Sequence, residues 1–528
     1  DKHEIASNTF FAHQTQQRTE LRTGFTSTSQ RGDLRSFLLS WIERRLLAQQ
    51  IMGFSDLDFL RIDYRGMIAT AGRDAPDRRR YEYFDTEPAD GTFVVFGNTG
   101  MERQYDTVED TVLSFGLDVT VPIVDPEDFW LGLEAKAGTA GFFQDRATIR
   151  RVYRWRPDDE NGADIGETNP EILYDPANSG TTLIFGDFST RRQDDSVGLL
   201  DVLSGYGLVD ARLGDLFRIV GGVRYETAEE EVTTFAESVD DNRAVTAGFV
   251  QEEFFPSASG TWFATEDMQV RLAYGRTTAY PNLNELSSAN FVEPDSGELF
   301  FGNTDLVPSI IDGVDVRWEW YPSPTESLTV GGFYKFYDEP IERTFIARSG
   351  TSPVGTFQNA DSATIIGAEI SGRFELAHVR EWLDGPEILD NFYVMGNLAI
   401  MTSEVRLRQQ GIASTAVRTL DGQADYAFNA QAGYSGDAHD VTVAFNSVGT
   451  RLHRAGIQGL GDVFLQPIDT LDVVWTWRAW DEDLTAGIFR LAGSNLLNPT
   501  FLWLQDGEVW RSFEKGIGIN ASLKVTFR

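Results

Sequence analysis

The chain has 528 residues, no cysteine, and 81 acidic against 45 basic residues, which gives a formal net charge of −36. The absence of cysteine excludes disulfides, thiolate zinc sites and cysteine nucleophiles, and the acidic balance argues against nucleic acid as a partner because phosphate binding needs clustered positive charge. No run of about 18 apolar residues is present, so no transmembrane helix is predicted.

Alternating strands follow one another along the chain. Apolar and polar residues alternate with period two, which predicts extended strands with one apolar and one polar face. The alternation is found in residues 60–68, 113–121, 129–136, 217–226, 314–320, 392–400, 471–477 and 516–528. A membrane barrel and a soluble β-sandwich both have such strands, so the connections must decide between them.

The connections between these strands are alternately short and long. Short turns are predicted at 53–56, 122–128, 213–215, 265–267, 322–326, 435–440 and 481–483. Long polar segments are predicted at 72–106, 144–195, 227–247, 276–309, 338–360, 405–423, 450–467 and 495–515. Strict alternation places all turns of one kind on the same side, whereas a compact soluble domain rarely carries so many long loops.

The pattern therefore predicts an all-β fold, a large antiparallel up-and-down transmembrane β-barrel with short periplasmic turns and long extracellular loops. Counting hairpins gives about 18 strands. Residues 2–14 are expected to run from the periplasmic side upward. The segment between Gly372 and Asn391 is expected to be a longer periplasmic connection that holds a helical turn.

Ten segments of the chain carry a resemblance to a known family. They are Phe-Arg-Ile-Val-Gly-Gly-Val-Arg-Tyr-Glu at 217–226, Phe-Phe-Pro-Ser at 254–257, Met-Gln-Val-Arg-Leu-Ala-Tyr-Gly-Arg-Thr at 268–277, Tyr-Pro-Asn-Leu-Asn-Glu-Leu at 280–286, Gly-Asn-Thr-Asp-Leu-Val-Pro at 302–308, Phe-Tyr-Lys at 333–335, Glu-Pro-Ile-Glu at 339–342, Ile-Ile-Gly-Ala-Glu-Ile at 365–370, Tyr-Ala-Phe-Asn-Ala-Gln-Ala-Gly-Tyr at 426–434 and Asn-Leu-Leu-Asn-Pro at 495–499. By their order and number the chain resembles the C-terminal barrel of TonB-dependent outer-membrane receptors, from about residue 33 to the end.

The resemblance implies a barrel of about 22 strands, an N-terminal plug domain and a short motif that meets the periplasmic TonB protein. Neither the plug nor the motif is recognised in the sequence. Residues 1–528 are therefore expected to form one transmembrane β-barrel domain without the plug and the first hairpins, and a plug domain or a partner chain is expected to close the barrel. The family usually ends in an aromatic residue, so Phe527, followed here by Arg528, is the expected assembly signal.

No template for catalysis, cofactor binding or metal binding is found. The five histidines lie far apart, and no His-Glu-x-x-His, Gly-x-Ser-x-Gly or phosphate-binding Gly-rich loop is present. An enzyme is therefore not expected, and neither is a cofactor or a metal site.

Two groups of side chains are candidates for contact with a solute. Arginines on the polar strand faces are expected either to touch substrate or, more often, to pair with acids such as Asp63 and Glu226 or with the plug; they are Arg61, Arg65, Arg218, Arg224 and Arg317. Aromatic residues in long segments are predicted to form a ligand platform at the extracellular mouth, with packing within the loops as the alternative; the candidates are Trp155, Phe300, Phe301, Trp503 and Trp510.

The resemblance implies a receptor and transporter in the bacterial outer membrane. It would bind a scarce solute at its extracellular loops and import it into the periplasm, with the lipid bilayer and periplasmic TonB as partners. The alternative is a barrel that acts as a structural scaffold or docking subunit of an outer-membrane complex. Neither the solute nor the oligomeric state follows from the sequence, because recognition depends on how the loops are arranged in space.

Overall fold

The structure is a computed structural model. It describes residues 2–24, 33–57, 59–87, 92–95, 101–124, 130–157, 164–165, 183–186, 195–235, 244–292, 299–347, 353–408, 412–481 and 485–527. Strands account for nearly all of this structure. The all-β prediction is therefore confirmed.

A single sheet of 22 strands organises the described part of the chain. Four of its strands are short: β4 (Thr92–Val95), β7 (Asp164–Ile165), β8 (Leu183–Gly186) and β21 (Val417–Arg418). The remaining eighteen are β1 (His3–Gly24), β2 (Asp33–Asp56), β3 (Arg61–Glu87), β5 (Met101–Val124), β6 (Leu131–Pro157), β9 (Ser196–Leu213), β10 (Phe217–Thr234), β11 (Val245–Phe263), β12 (Met268–Ala279), β15 (Ser309–Ser323), β16 (Glu326–Asp338), β19 (Ser362–Glu375), β20 (Phe392–Arg406), β22 (Tyr426–Ser435), β23 (His439–Val448), β26 (Ile468–Asp481), β27 (Thr485–Ser494) and β30 (Gly518–Phe527).

Each of these eighteen strands pairs antiparallel with the next, so the sheet is one up-and-down meander. Strand β1 begins on the side of the short turns, because His3 lies opposite Ser55 at the end of β2. The transmembrane β-barrel architecture and the count of about eighteen strands are confirmed, and residues 2–14 run away from the side of the short turns.

The two faces of the sheet differ in the way the alternation predicts. In β2, the outer face carries exposed apolar side chains such as Leu47 and Ile51, which are 50% and 52% exposed. In β10, the outer face changes from exposed Val223 and Tyr225 to exposed Glu229 and Glu231. The lipid-facing band therefore ends near Tyr225, and the rest of β10 lies beyond it on the side of the long connections.

The first strands are longer than the alternation alone predicts. Strands β3 and β6 each have 27 residues and extend into segments that were assigned to loops. Cross-strand ion pairs continue the ladder there: Arg146 Nε lies 2.7 Å from Asp110 Oδ1, and Arg154 Nη2 lies 3.0 Å from Glu102 Oε2. Because such pairs suit a water-exposed antiparallel ladder, the strands continue past the bilayer.

Other long connections fold into two small sheets on the loop side. Loop sheet 1 contains β13 (Asn290–Val292), β14 (Leu299–Phe301), β17 (Ile341–Ile346) and β18 (Val354–Asn359). Loop sheet 2 contains β24 (Arg451–Arg454), β25 (Val463–Leu465), β28 (Thr500–Gln505) and β29 (Glu508–Glu514).

An apolar cluster joins the barrel wall to loop sheet 1, and we call it the loop core. It consists of Val232, Leu283, Leu286, Phe300, Leu306, Phe345, Phe357 and Ile457. Val232 comes from the inner face of β10, and Leu283 and Leu286 come from the short helix α1 (Leu283–Leu286). The loop core thus fixes loop sheet 1 and α1 against the inner surface of the wall.

The connection after β19, on the side of the short turns, contains helix α2 (Leu376–Leu383) and a 3₁₀ helix at Glu387–Asn391. This confirms the helical turn expected in that segment. His378 Nδ1 lies 2.9 Å from Glu326 Oε1, which ties α2 to the start of β16. Within the described residues, neither helix has the length and apolar character needed to cross a membrane.

Candidate functional site

A cavity of about 490 Å³ lies against the inner face of the first strands, and five of its lining residues are arginines. We call it the arginine cavity; the five are Arg18, Arg44, Arg73, Arg78 and Arg150. They come from four strands, β1, β2, β3 and β6, so the cavity exists only after the strands have paired. Asp106 of β5 is the carboxylate in the lining.

Strand alternation decides which arginines face the cavity. On β2, Ser40, Ile42 and Arg44 line it. The next residue, Arg45, points to the outer face, where its side chain is 67% exposed and pairs with Glu109 at 3.1 Å. Exposed charges on the outer face at this level place the cavity beyond the lipid band, on the side of the long connections.

Carboxylates neutralise only some of the five arginines. Arg150 Nε donates to Asp106 Oδ1 at 2.9 Å, while Arg73 Nη1 lies 4.0 Å from Asp106 Oδ2. Arg18 pairs with Glu20 at 2.6 Å. Two arginines therefore share Asp106, and a third is paired outside the lining.

The other two arginines have no carboxylate within hydrogen-bond or ion-pair distance in the part of the chain that the structure describes, although Asp106 and Glu102 act on Arg78 through space. Arg44 Nη1 donates to the amide oxygen of Gln16 at 3.2 Å. Arg78 makes no hydrogen bond or ion pair with a described residue. The cavity thus has excess positive charge, although the chain as a whole carries −36.

Burial lowers the pKa of both Arg73 and Arg78. The charges of Arg44 and Arg150 lower the pKa of Arg73 further, which places these groups within electrostatic reach of one another. Arginine nevertheless stays protonated at any physiological pH. Crowded guanidinium groups of this kind favour an anion, because it relieves their repulsion and accepts several hydrogen bonds in a planar geometry.

Residues around α1 cover the loop side of the cavity. Asn284, Ser287 and Phe291 belong to its lining. Ser287 is fixed to the wall, since its Oγ lies 3.0 Å from Thr234 Oγ1. The segment 280–291, which we call the cover segment, therefore forms one wall of the arginine cavity and also contributes Leu283 and Leu286 to the loop core.

The arginines proposed from the sequence are paired with acids. Each has a carboxylate within 3.1 Å, so each makes the pairing with an acid that was expected more often than contact with substrate. The pairs are Arg61–Asp63, Arg65–Asp118, Arg218–Asp210, Arg224–Glu226 and Arg317–Glu319. None of these five lines the arginine cavity.

The aromatic candidates lie on three parts of the chain: Trp155 on β6, Phe300 and Phe301 on β14, and Trp503 and Trp510 in loop sheet 2. Phe300 is 3% exposed in the loop core, with its ring 5.8 Å from that of Phe291, and Phe301 is half-buried beside it on β14. Trp155 lies on β6, but its side chain is outside the described residues. The ligand role of these residues stays a prediction.

The last two aromatic candidates meet in loop sheet 2. Trp503 is 7% exposed and Trp510 is half-buried. The His453 ring lies between them, 5.7 Å from Trp503 and 5.5 Å from Trp510. Phe527, the expected assembly signal, ends β30 with 79% exposure. Their roles in ligand binding and assembly also stay predictions.

The described residues contain no group of three His, Asp or Glu side chains placed to hold a metal ion. The sequence does not predict the arginine cavity, because it predicts a loop at residues 72–106, which contain Arg73 and Arg78. Ser40 and Arg44 share one face of β2 with Leu38 and Ile42, and they were the available indication that this face carries polar groups.

A family model described as "TonB dependent receptor-like, beta-barrel" matches residues 6–496. No curated protein matches the sequence. The chain is similar to the solved structure of the siderophore receptor PiuA from Acinetobacter baumannii, at 12% identity and a TM-score of 0.61, over 100% of this chain and 75% of that one.

Two further solved structures have the same fold. The FrpB iron transporter from Neisseria meningitidis aligns at 12% identity with a TM-score of 0.57, over 98% of this chain and 77% of that one. The ferric-catecholate import receptor Fiu from E. coli K12 aligns at 13% identity with a TM-score of 0.53, over 99% and 81%. Identities this low show a shared fold and leave the ligand open.

Proposed function

The chain belongs to the TonB-dependent receptor-like β-barrel family, and on that basis we propose that it is an outer-membrane receptor that binds a scarce solute in the arginine cavity and imports it into the periplasm. The family is one of receptors and transporters, so no catalytic step is proposed. Binding, and later release by movement of loops and plug, are sufficient for this function.

The arginine cavity is the observation that carries the proposal. It lies inside the barrel, beyond the lipid band, where a solute from outside would arrive first. A scaffold or docking subunit has no need for excess positive charge on a partly buried inner wall, because charge that is partly withdrawn from water and left unpaired costs stability. Proteins retain such unfavourable charges mainly at functional sites.

An anionic solute fits the cavity best. The negatively charged groups of a ligand would take the place of the carboxylates that the lining lacks. They would accept short, charge-assisted hydrogen bonds from the arginines. The fold neighbours include proteins named as a siderophore receptor, a ferric-catecholate import receptor and an iron transporter. We therefore propose an anionic iron chelate as the first class of ligand to test.

The proposed partners follow from the family. A periplasmic TonB protein would supply the energy for import by acting on a plug domain inside the barrel, carried by this chain or by another. The outer-membrane lipid bilayer would surround the apolar band, and the proposed localisation is accordingly the bacterial outer membrane.

Purified protein should be titrated with ferric citrate, a ferric tris-catecholate and a neutral ferric hydroxamate, with tryptophan fluorescence as the readout. We expect one of the anionic chelates to bind and the Arg78→Gln and Arg44→Gln variants to weaken binding by about 10- to 100-fold, as for the loss of a hydrogen bond to a charged group. Arg45→Gln is the matched control, because this neighbouring arginine points outward and should leave affinity unchanged.

Uptake of the same radiolabelled chelate by cells, with and without a functional TonB system, tests import separately from binding. Binding without TonB-dependent uptake would exclude the transporter role. If none of the three chelates binds and the barrel purifies as a fixed part of a multi-subunit envelope complex, the scaffold alternative would replace the receptor proposal.

A further inference from the structure

The Glu230 carboxyl group is buried and unpaired behind the cover segment. It lies on the inner face of β10 and is 1% exposed. Neither carboxylate oxygen has a hydrogen-bond partner among the described residues. Its sequence neighbours Glu229 and Glu231 are exposed on the outer face, so this part of the strand lies beyond the lipid band.

The immediate surroundings of Glu230 are apolar. In the paired strands, Leu200 of β9 and Phe249 of β11 lie directly opposite it. Two residues along β10, Val232 packs against Leu283 and Leu286 of the cover segment in the loop core. Seating of the cover segment is therefore what keeps water away from this carboxyl group.

Among the described residues, the charged and titratable groups that face Glu230 provide no direct counter-charge. Glu285 of α1 is the charge that acts on it through space, and the Tyr280 hydroxyl of the cover segment also lies within electrostatic reach of Glu230. Glu226, on the same strand, is engaged by Arg224 and by the Tyr280 hydroxyl at the start of the cover segment. Arg343 acts on Glu285 rather than on Glu230.

An unpaired carboxylate in such a place is unfavourable, because nothing replaces the water that would solvate its charge. Burial, with a smaller contribution from the charge of Glu285, raises the pKa of Glu230 to about 8. Burial also raises the pKa of Glu285 itself. The neutral form of Glu230 is thus the form compatible with a seated cover segment.

We propose that the cover segment is a proton-linked cover of the arginine cavity, seated while Glu230 is neutral and released when Glu230 ionises. The proposal rests on the proposed function only in assigning the cavity to the solute. Because Asn284, Ser287 and Phe291 form one wall of that cavity, release removes part of the binding site, and acidification outside the cell would favour the closed, binding-competent form.

The direction of the pH dependence follows from linkage. The pKa of Glu230 is higher in the seated state than the ordinary value of 4.5, which it regains on release into water. The seated state is therefore favoured below 4.5 and loses stability as the pH rises toward 8. One linked proton changes the ratio of released to seated protein by about tenfold per pH unit between these two values.

The absence of cysteine from the chain permits a direct measurement. Asn284→Cys places a spin label on an exposed position of α1. We expect the mobile fraction in its electron paramagnetic resonance spectrum to increase as the pH is raised from 4.5 to 9.5. Glu230→Gln, which keeps the shape but cannot ionise, should keep the label immobile throughout, whereas the matched control Glu229→Gln should behave as the parent.

Gly302→Val provides the reference spectrum for the released state of the cover segment. A Cβ atom at Gly302 would lie 2.0 Å from the Ser287 carbonyl oxygen and 2.6 Å from that of Glu285, so a side chain there must displace the cover segment. This variant should show the mobile spectrum at every pH. Hydrogen exchange of residues 280–291 in the unlabelled protein provides the same comparison without the label.

The proposal is overturned if the parent spectrum stays immobile up to pH 9.5, or if Glu230→Gln retains the pH dependence of the parent. No solute is present in these measurements. A result that overturns the cover proposal therefore leaves the receptor proposal intact. Failure of the chelates to bind, in turn, leaves the cover proposal intact.

Discussion

Arg511 Nη2 lies 3.6 Å from Glu20 Oε1, so the hairpin that precedes the last strand contacts the first strand of the meander. Glu20 also pairs with Arg18 and Arg22. Arg511 in turn lies over the Trp503 ring, 5.3 Å from its centroid. This cluster attaches the hairpin before the last strand to the first strand of the meander.

We expect Arg511→Gln to lower the free energy of unfolding by about 1 kcal/mol, the upper end of the range for single ion pairs, because both side chains are largely buried. Urea unfolding in lipid vesicles, followed by tryptophan fluorescence, measures the change. Arg45→Gln breaks an exposed pair and should change stability by only a few tenths of a kcal/mol. Equal effects of the two variants would contradict a role of Arg511 in holding this hairpin against β1.

The ion pair between Glu342 and Arg418 joins two extracellular connections. Arg418 Nη2 lies 2.8 Å from Glu342 Oε2, and the side chains are 2% and 5% exposed. Removing one partner leaves a buried charge unpaired, so Arg418→Met should destabilise loop sheet 1 by about 3 kcal/mol. The double variant Glu342→Met, Arg418→Met should recover much of this loss.

Hydrogen exchange in β17 and β18 measures this local stability, while the barrel strands serve as an internal reference. A double variant that is as unstable as Arg418→Met alone would show that the loss comes from packing rather than from the unpaired carboxylate.

Phe300 and Trp510, both proposed from the sequence as ligand contacts, should respond differently to truncation. Phe300→Ala removes a ring from the loop core, so it should cost about 3–5 kcal/mol of local stability and increase hydrogen exchange in residues 280–291. Trp510→Ala changes a half-buried ring and should leave that exchange unchanged. Any effect of Trp510→Ala on chelate affinity would then indicate direct contact.

Phe527 gives a test that separates assembly from stability. Its ring is 79% exposed at the end of β30, on the same face as Ile519, which is 77% exposed. Phe527→Ser and Ile519→Ser remove similar exposed apolar groups. If Phe527 is an assembly signal, only Phe527→Ser should lower the amount of folded barrel in cells, by severalfold on heat-modifiable gels, while both variants refold alike in vesicles.

The strands were predictable because their determinants are local. Period-two alternation around Ile219, Val223 and Tyr225 is visible within a few residues, and the exposed outer face of β10 follows directly from it. The order of short and long connections then gave the barrel and the number of strands, since neither depends on contacts between distant segments.

The site was not predictable because its residues are distant in sequence. Arg18 and Arg150 share a cavity only through the pairing of β1, β2, β3, β5 and β6. Glu230 lies in a run of three glutamates that reads as a solvated surface, and its burial depends on α1, which begins more than fifty residues later. Loop sheet 1 requires the parallel bridge between Phe300 and Gly355, which no local pattern indicates.

The long first strands also determine how far the protein rises above the bilayer. At a rise of about 3.3 Å per residue and a tilt of about 45°, the 27 residues of β3 span about 60 Å along the membrane normal. The apolar band of such barrels is about 25 Å tall. Half or more of this wall therefore stands outside the membrane, and it is the part of the barrel that an antibody or a phage would reach first.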